Sequence, residues 1–250
     1  MSIRHYRRRR VVTAGGGGGG GFDPATLPFD GLYLPSFGGS PWTPTASAGT
    51  SGSNGNLVTL GVSPAVGTAV NGFTPGTFDG ATTALSLGTA AFSSLVSSTA
   101  LTLIALFKAS ASVAAATDFY DDPLLLGGSD GNTGLVYTSS GVRAGGYVGS
   151  AKQTVAIALA TGTWAMCVMR YNGTSVKCRV SQASGTTDAT PVVCGSLTIA
   201  ANMFVGKNYA SAKFLAGDVL WIGAATTEIS DANLVNIRGG FNSAYGLSLT

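Results

Sequence analysis

The chain has 250 residues, enough for one large core, yet only 10% of them are charged and Glu228 is the sole glutamate. Long amphipathic helices draw on Glu, Lys, Arg and Ala, so this charge content and 37 glycines exclude a helical protein and favour an all-β one. The net charge of +3 is unevenly placed: five of the 14 basic residues stand in the first ten positions, leaving the remainder of the chain at −2. The single histidine, His5, removes histidine-based acid–base chemistry from everything that follows it.

In chain order, residues 1–21 form a basic arm (Arg4, Arg7, Arg8, Arg9, Arg10) and a flexible tether, Gly15 to Gly21. Such an arm suits a polyanion, nucleic acid included, or an acidic protein surface; a plain solvated terminus has the same composition. Val11-Val12-Thr13-Ala14 is too short for the apolar core of a signal peptide. Phe22-Asp23-Pro24 stands where a phosphate-binding loop would need Gly-Lys-Ser/Thr. Residues 22–71 are rich in Pro, Gly, Ser and Thr, with apolar anchors that include Phe22, Phe29, Tyr33 and Trp42. They read as an extended attachment segment that docks these side chains, together with the arginines, on a partner.

From about Asn71 onward, short β-type runs recur between turn residues. They are Ala84–Leu87, Leu101–Lys108, Leu124–Leu126, Gly134–Thr138, Gly146–Val148, Thr154–Leu159, Thr163–Tyr171, Ser175–Ser181, Ser196–Ile199, Met203–Val205 and Asp218–Gly223. The most apolar, Leu101 to Phe107, is far shorter than the roughly 20 residues of a membrane span. One helix follows. Ser230 suits its N-cap, Leu234, Ile237, Phe241 and Tyr245 make one apolar stripe, and Gly246 stops it.

Three cysteines with no accompanying histidine make neither a zinc motif nor an even disulfide framework. Between Cys167 and Cys178, Asn172-Gly173 predicts a two-residue type I′ hairpin whose paired residue numbers sum to 345. That register sets the two cysteines opposite each other at about 5.5 Å between Cα atoms, close enough for a disulfide. Two small buried thiols are the favoured reading. Gly127-Gly128-Ser129-Asp130-Gly131 has nucleophile-elbow spacing, but it lacks both a strand–turn–helix setting and a histidine base, so it reads as a hairpin loop.

Several segments together carry a resemblance. Phe78-Asp79-Gly80 with Ala84-Leu85-Ser86-Leu87, then Leu101 to Lys108, resembles the opening strands of laminin-G-like domains. Gly162-Thr163-Trp164 through Tyr171-Asn172-Gly173 to Val176-Lys177-Cys178-Arg179-Val180 resembles their Gly-Thr-Trp hairpin. Phe214-Leu215-Ala216-Gly217-Asp218-Val219 resembles the closing strand, and Ile229 to Leu247 the helix appended to bacterial and phage versions. Residues 72–250 are thus similar to the concanavalin A-like lectin and glucanase superfamily. The resemblance implies a jelly-roll β-sandwich of two antiparallel sheets with one C-terminal helix, here preceded by an extended Gly-rich arm. It places Cys167, Cys178 and Trp164 in the core.

The resemblance also bears on function. Sandwich glucanases commonly carry Glu-x-Asp-x-Glu on one strand, which this chain lacks, so a hydrolase is the last of three readings. Rim loops of related sandwiches bind calcium or sugar, and Asp118, Tyr120, Asp121 and Asp122 have the oxygen ligands and ring for either, although a solvated loop fits the same residues. No other cofactor is implied. The favoured expectation is a non-enzymatic virion protein of a tailed bacteriophage: a capsid decoration, head-fibre or tail-associated protein, in multiple copies or as a homo-oligomer. Its partners would be major capsid or tail proteins and a cell-surface glycan, with nucleic acid reached only through the arm and no membrane. The alternative is a bacterial surface or extracellular carbohydrate-binding module.

Overall fold

The computed structural model describes residues 31–33, 37–39, 58–86, 99–112, 119–128, 133–148, 150–197, 203–207 and 213–250. The described strands are β1 (Gly31–Tyr33), β2 (Val58–Thr59), β3 (Ala65–Val66), β4 (Gly76–Asp79), β5 (Leu85–Ser86), β6 (Leu101–Ala109), β7 (Leu124–Gly128) and β8 (Thr133–Thr138). They continue with β9 (Gly141–Val148), β10 (Ser150–Gln153), β11 (Trp164–Tyr171), β12 (Ser175–Gln182), β13 (Gly185–Asp188), β14 (Val192–Val193), β15 (Met203–Val205) and β16 (Ala216–Ala225). Helix α1 (Asp231–Tyr245) follows.

Two antiparallel sheets form. The first runs β13-β12-β11-β6-β16-β4-β3, with β1 also on β16 and β14 on β12; the second runs β10-β9-β8-β7-β15-β5-β2. This is a jelly-roll β-sandwich.

The period of two explains why β6 and β11 lack polar alternation. Leu101, Leu103, Ala105 and Phe107, with Ala165, Cys167, Met169 and Tyr171, enter the core between the sheets. Their neighbours Ile104, Leu106, Met166 and Val168 face the other way and are buried with Leu234, Ile237, Phe241 and Tyr245 of α1. Both faces of the central strands are therefore dry. On β16 the register slips between Val219 and Trp221, so Leu220 and Trp221 both join the cluster at the helix. The Trp221 ring meets Phe241 edge-on, with centroids 5.0 Å apart.

The helix ends match the sequence reading. Ser230 Oγ accepts from the Asn233 amide, and Gly246 closes the helix in the left-handed region. The 171–175 hairpin differs from expectation. Tyr171 opposes Val176, so paired numbers sum to 347 and the two loop residues are Gly173 and Thr174. Asn172 Oδ1 accepts from the amides and hydroxyls of Thr174 and Ser175, which holds Asn172 outside the turn centre. Gly173 alone takes positive φ there, as a type II′ turn requires at its first central position. The two-unit shift keeps both cysteines on the core face, but Cys167 now opposes Val180 and Cys178 opposes Met169.

Strands also begin earlier than the expected onset at Asn71. β1, β2 and β3 pair within the two sheets, and Phe37 is fully buried in the inter-sheet core. Asn71-Gly72 is itself a hairpin turn with positive φ at both residues, the signature of type I′, and Asn71 Nδ2 donates to the Ala244 carbonyl of α1. Thr154–Leu159, expected as a strand, contributes only an isolated bridge between Ile157 and Val142 of β9.

Candidate functional site

Only part of the expected acidic cluster is described. Asp118 lies outside the described residues, and Phe119–Asp121 forms a single 3-10 turn in which only the backbone of Tyr120 is described. Asp121 is half-buried. Asp122 is fully buried and forms an ion pair with Arg143, whose other guanidinium nitrogen donates to Gln153 Oε1 at 2.7 Å. A buried carboxylate satisfied by arginine holds a loop in place. Among the described residues no group of three or more His, Cys, Asp and Glu side chains could hold a metal.

Of the expected attachment residues, Arg4, Arg7, Arg8, Arg9, Arg10, Phe22, Phe29 and Trp42 lie outside the described residues. Tyr33 is the last residue of β1, in register with Ile222. Ser129 to Gly131 of the elbow-like segment also lie outside, between β7 and β8.

A continuous ladder of charges spans the outer face of β11–β13 and the start of α1. Glu228 accepts from Lys177 at 2.7 Å, and Asp231 pairs with Arg170 at 2.8 Å and with Arg179 at 3.0 Å. Arg179 also grips Asp188 with two hydrogen bonds, of 2.6 and 2.8 Å. Those bonds hold the Asp188 carboxyl below the usual carboxylate range, against partial desolvation. Alternation on β12 puts Lys177 and Arg179 on this face while Val176, Cys178 and Val180 enter the core.

Beside the ladder lies an open groove of about 380 Å³. One wall is Val155, Ala156, Ile157 and Ala158; the other is Thr187, Asp188, Ala189 and Thr190; Gln182 spans them by donating to the Ala158 carbonyl at 3.3 Å. Ile157 bridges to β9 of the second sheet and β13 is the edge of the first, so the groove marks the open seam of the sandwich. Val155 is 71% exposed and the Asp188 side chain 52%. Sequence reasoning missed this site because Gly-Thr-Thr-Asp carries no apolar residue to announce a strand.

Asp218 and Asp79 are engaged as well. Asp218 pairs with Lys108 and accepts from the Thr77 hydroxyl. Asp79 accepts from the amides of Ala81, Thr82 and Thr83 and the hydroxyls of both threonines. Desolvation raises the Asp79 pKa, but these bonds together outweigh it and hold the carboxyl far below its ordinary value. Cys167, Cys178 and Cys194 are buried free thiols. Burial, reinforced by Cys178, pushes Cys167 well up, and burial pushes Cys178 up to about 12, so neither offers a thiolate nucleophile at neutral pH. Trp164 is half-buried under the Lys108 ammonium, beside the helix-side cluster.

Several solved structures share this architecture. A GH54 α-L-arabinofuranosidase soaked with a cyclic sulfate inhibitor is similar at 11% identity over 81% of this chain and 51% of its own, with a TM-score of 0.52. The likeness is one of fold, a β-sandwich of antiparallel sheets. The Trypanosoma rangeli sialidase in complex with the inhibitor DANA is 14% identical over 83% of this chain and 32% of its own, TM-score 0.52. The receptor-binding domain of the botulinum neurotoxin C/D mosaic serotype is 13% identical over 84% and 51%, TM-score 0.52. The chain thus spans about half of two of these proteins and a third of the other. No protein-family model matches the sequence, and no curated protein matches it either.

Proposed function

We propose that this chain is a non-catalytic, lectin-like module that binds carbohydrate and is held on a larger assembly by its N-terminal residues. The observation that carries this reading is the state of six of the seven described carboxylates, Asp121 being the exception. Asp79, Asp122, Asp188, Asp218, Glu228 and Asp231 each sit in an ion pair or a ring of amide and hydroxyl donors. Glycoside hydrolysis needs one raised, protonated carboxyl and one free carboxylate about 5–9.5 Å apart across a cleft. The similar folds named for a glycosidase, a sialidase and a toxin receptor-binding domain support carbohydrate recognition as the use of this sandwich. The test is a pair of assays on the full chain. Binding to immobilised glycans is expected without release of chromophore from nitrophenyl glycosides; turnover without retention would reverse the reading.

The assembly we propose is a virion, with capsid or tail proteins as partners. Five arginines, seven consecutive glycines and the anchors Phe22, Phe29 and Trp42 support this division between tether and display module. Purified particles should contain the chain at fixed stoichiometry. Recovery of the chain only from culture fluid or cell envelopes would favour a free carbohydrate-binding module instead.

A further inference from the structure

We infer that the seam groove between Val155–Ala158 and β13 is a subsite for an uncharged, polyhydroxylated ligand, a neutral saccharide. The inference rests on the lectin-like reading and adds to it the place and the ligand class. Its volume of about 380 Å³ falls at the lower end of the range for small-ligand sites, roughly 300–1,000 Å³.

The groups around it include both donors and acceptors, as sugar hydroxyls do. Ala189 donates its amide to Cys178, so alternation turns the main-chain N–H and C=O of Asp188 and Thr186 away from β12, to the open edge. Thr187 and Thr190 add hydroxyls and Gln182 a carboxamide, while Val155, Ala156 and Ala158 offer an apolar wall for the C–H face of a ring. Arg179 neutralises Asp188, the one charged group among the lining residues, and shares itself with Asp231. A site with a compensated carboxylate and no free cation has nothing to hold a carboxylated sugar.

The same edge could be read as an acceptor for an extended peptide, but β13 has only four residues and Pro191 follows it closely. A short edge ended by proline is how sheets block strand addition.

The experiment is calorimetric titration of the full chain with xylotriose, maltotriose, lactose and 3′-sialyllactose, repeated on Val155→Arg, Thr190→Val and a control, Val66→Arg, at the distant edge strand β3. At least one neutral sugar should bind the parent protein and Val66→Arg equally. Its affinity should fall at least tenfold in Val155→Arg and Thr190→Val with unchanged melting temperatures, and 3′-sialyllactose should bind no better than lactose. Undiminished binding by Val155→Arg would overturn the subsite while leaving the lectin-like reading intact. Preference for 3′-sialyllactose would overturn the ligand class. Silence of the parent protein toward every sugar, here and among the immobilised glycans, would overturn both. An eight-residue alternating Thr-Val peptide that protects the Thr186 and Asp188 amides from hydrogen exchange, where the sugars do not, would make the edge a strand acceptor and end the proposal.

Discussion

The centre of the first sheet and its flank at β12–β13 are built on opposite terms. At the centre, β6, β11 and β16 are buried on both faces, between the second sheet and α1, and keep their polar side chains, Thr102, Lys108, Arg170 and Asp218, near the strand ends. At the flank, one face of β12 still enters the core, while the other carries Lys177 and Arg179 into a ladder of ion pairs beside an open groove. Burial of this kind stabilises but cannot discriminate a ligand, whereas exposed donors and acceptors discriminate at little gain in stability. The molecule thus separates the residues that hold it together from those that can recognise.

That separation is broken most sharply at Trp221. Trp221→Ala removes a fully buried ring packed edge-on to Phe241 and should cost about 3–5 kcal/mol. Denaturant titration would show a large loss of midpoint, and an unchanged midpoint would mean that α1 is not docked on this sheet. Cys178→Ser, on the core face of β12, should cost about 1–3 kcal/mol, because the new hydroxyl is buried in the core with only Thr154 and the Ala144 backbone in reach. Thermal melts under reducing conditions would measure it. Non-reducing mass spectrometry should find no bond to Cys167.

The next effect is one of pH. The folded-state pKa of Asp79 is depressed, so its contribution to stability is present above the unfolded value of about 3.9 and is lost as pH falls through the folded one. Stability should be flat near neutrality and decline below about pH 4, and Asp79→Asn should flatten that decline in urea titrations run across acid pH. The smallest effect has the opposite sign. Gly239 sits in α1 at an exposed site, in right-handed conformation, and a Cβ there would meet nothing within 4 Å. Gly239→Ala should therefore stabilise by up to about 1 kcal/mol, with binding unchanged.

The same contrast decided what could be read from residue order. The doubly buried strands wrote themselves as apolar runs, and Ser230, the helix stripe and Gly246 appeared as expected because capping and periodicity are local. The second sheet was fainter. Gly127, Gly134 and Gly145 lie side by side across β7, β8 and β9, where any Cβ would strike the neighbouring backbone or the Phe119 ring, so glycines cut short the β-type runs of β7 and β9. β1 to β3 were hidden because strands of two or three residues among prolines and glycines have no period. Asn71-Gly72 was a hairpin signal taken for a boundary. The groove was illegible for a different reason: its two walls are brought together by the meeting of two sheets, and none of its residues is chemically unusual.

The most direct measurement of that separation is an amide chemical-shift titration of the full chain with the neutral saccharide that binds best. Shifts should concentrate at Gln182 and Thr187 to Thr190 and along Val155 to Ala158, with Trp221 silent and the sugar recovered intact. Shifts confined to the Phe119–Asp121 turn, or cleavage of the sugar during the titration, would contradict the account.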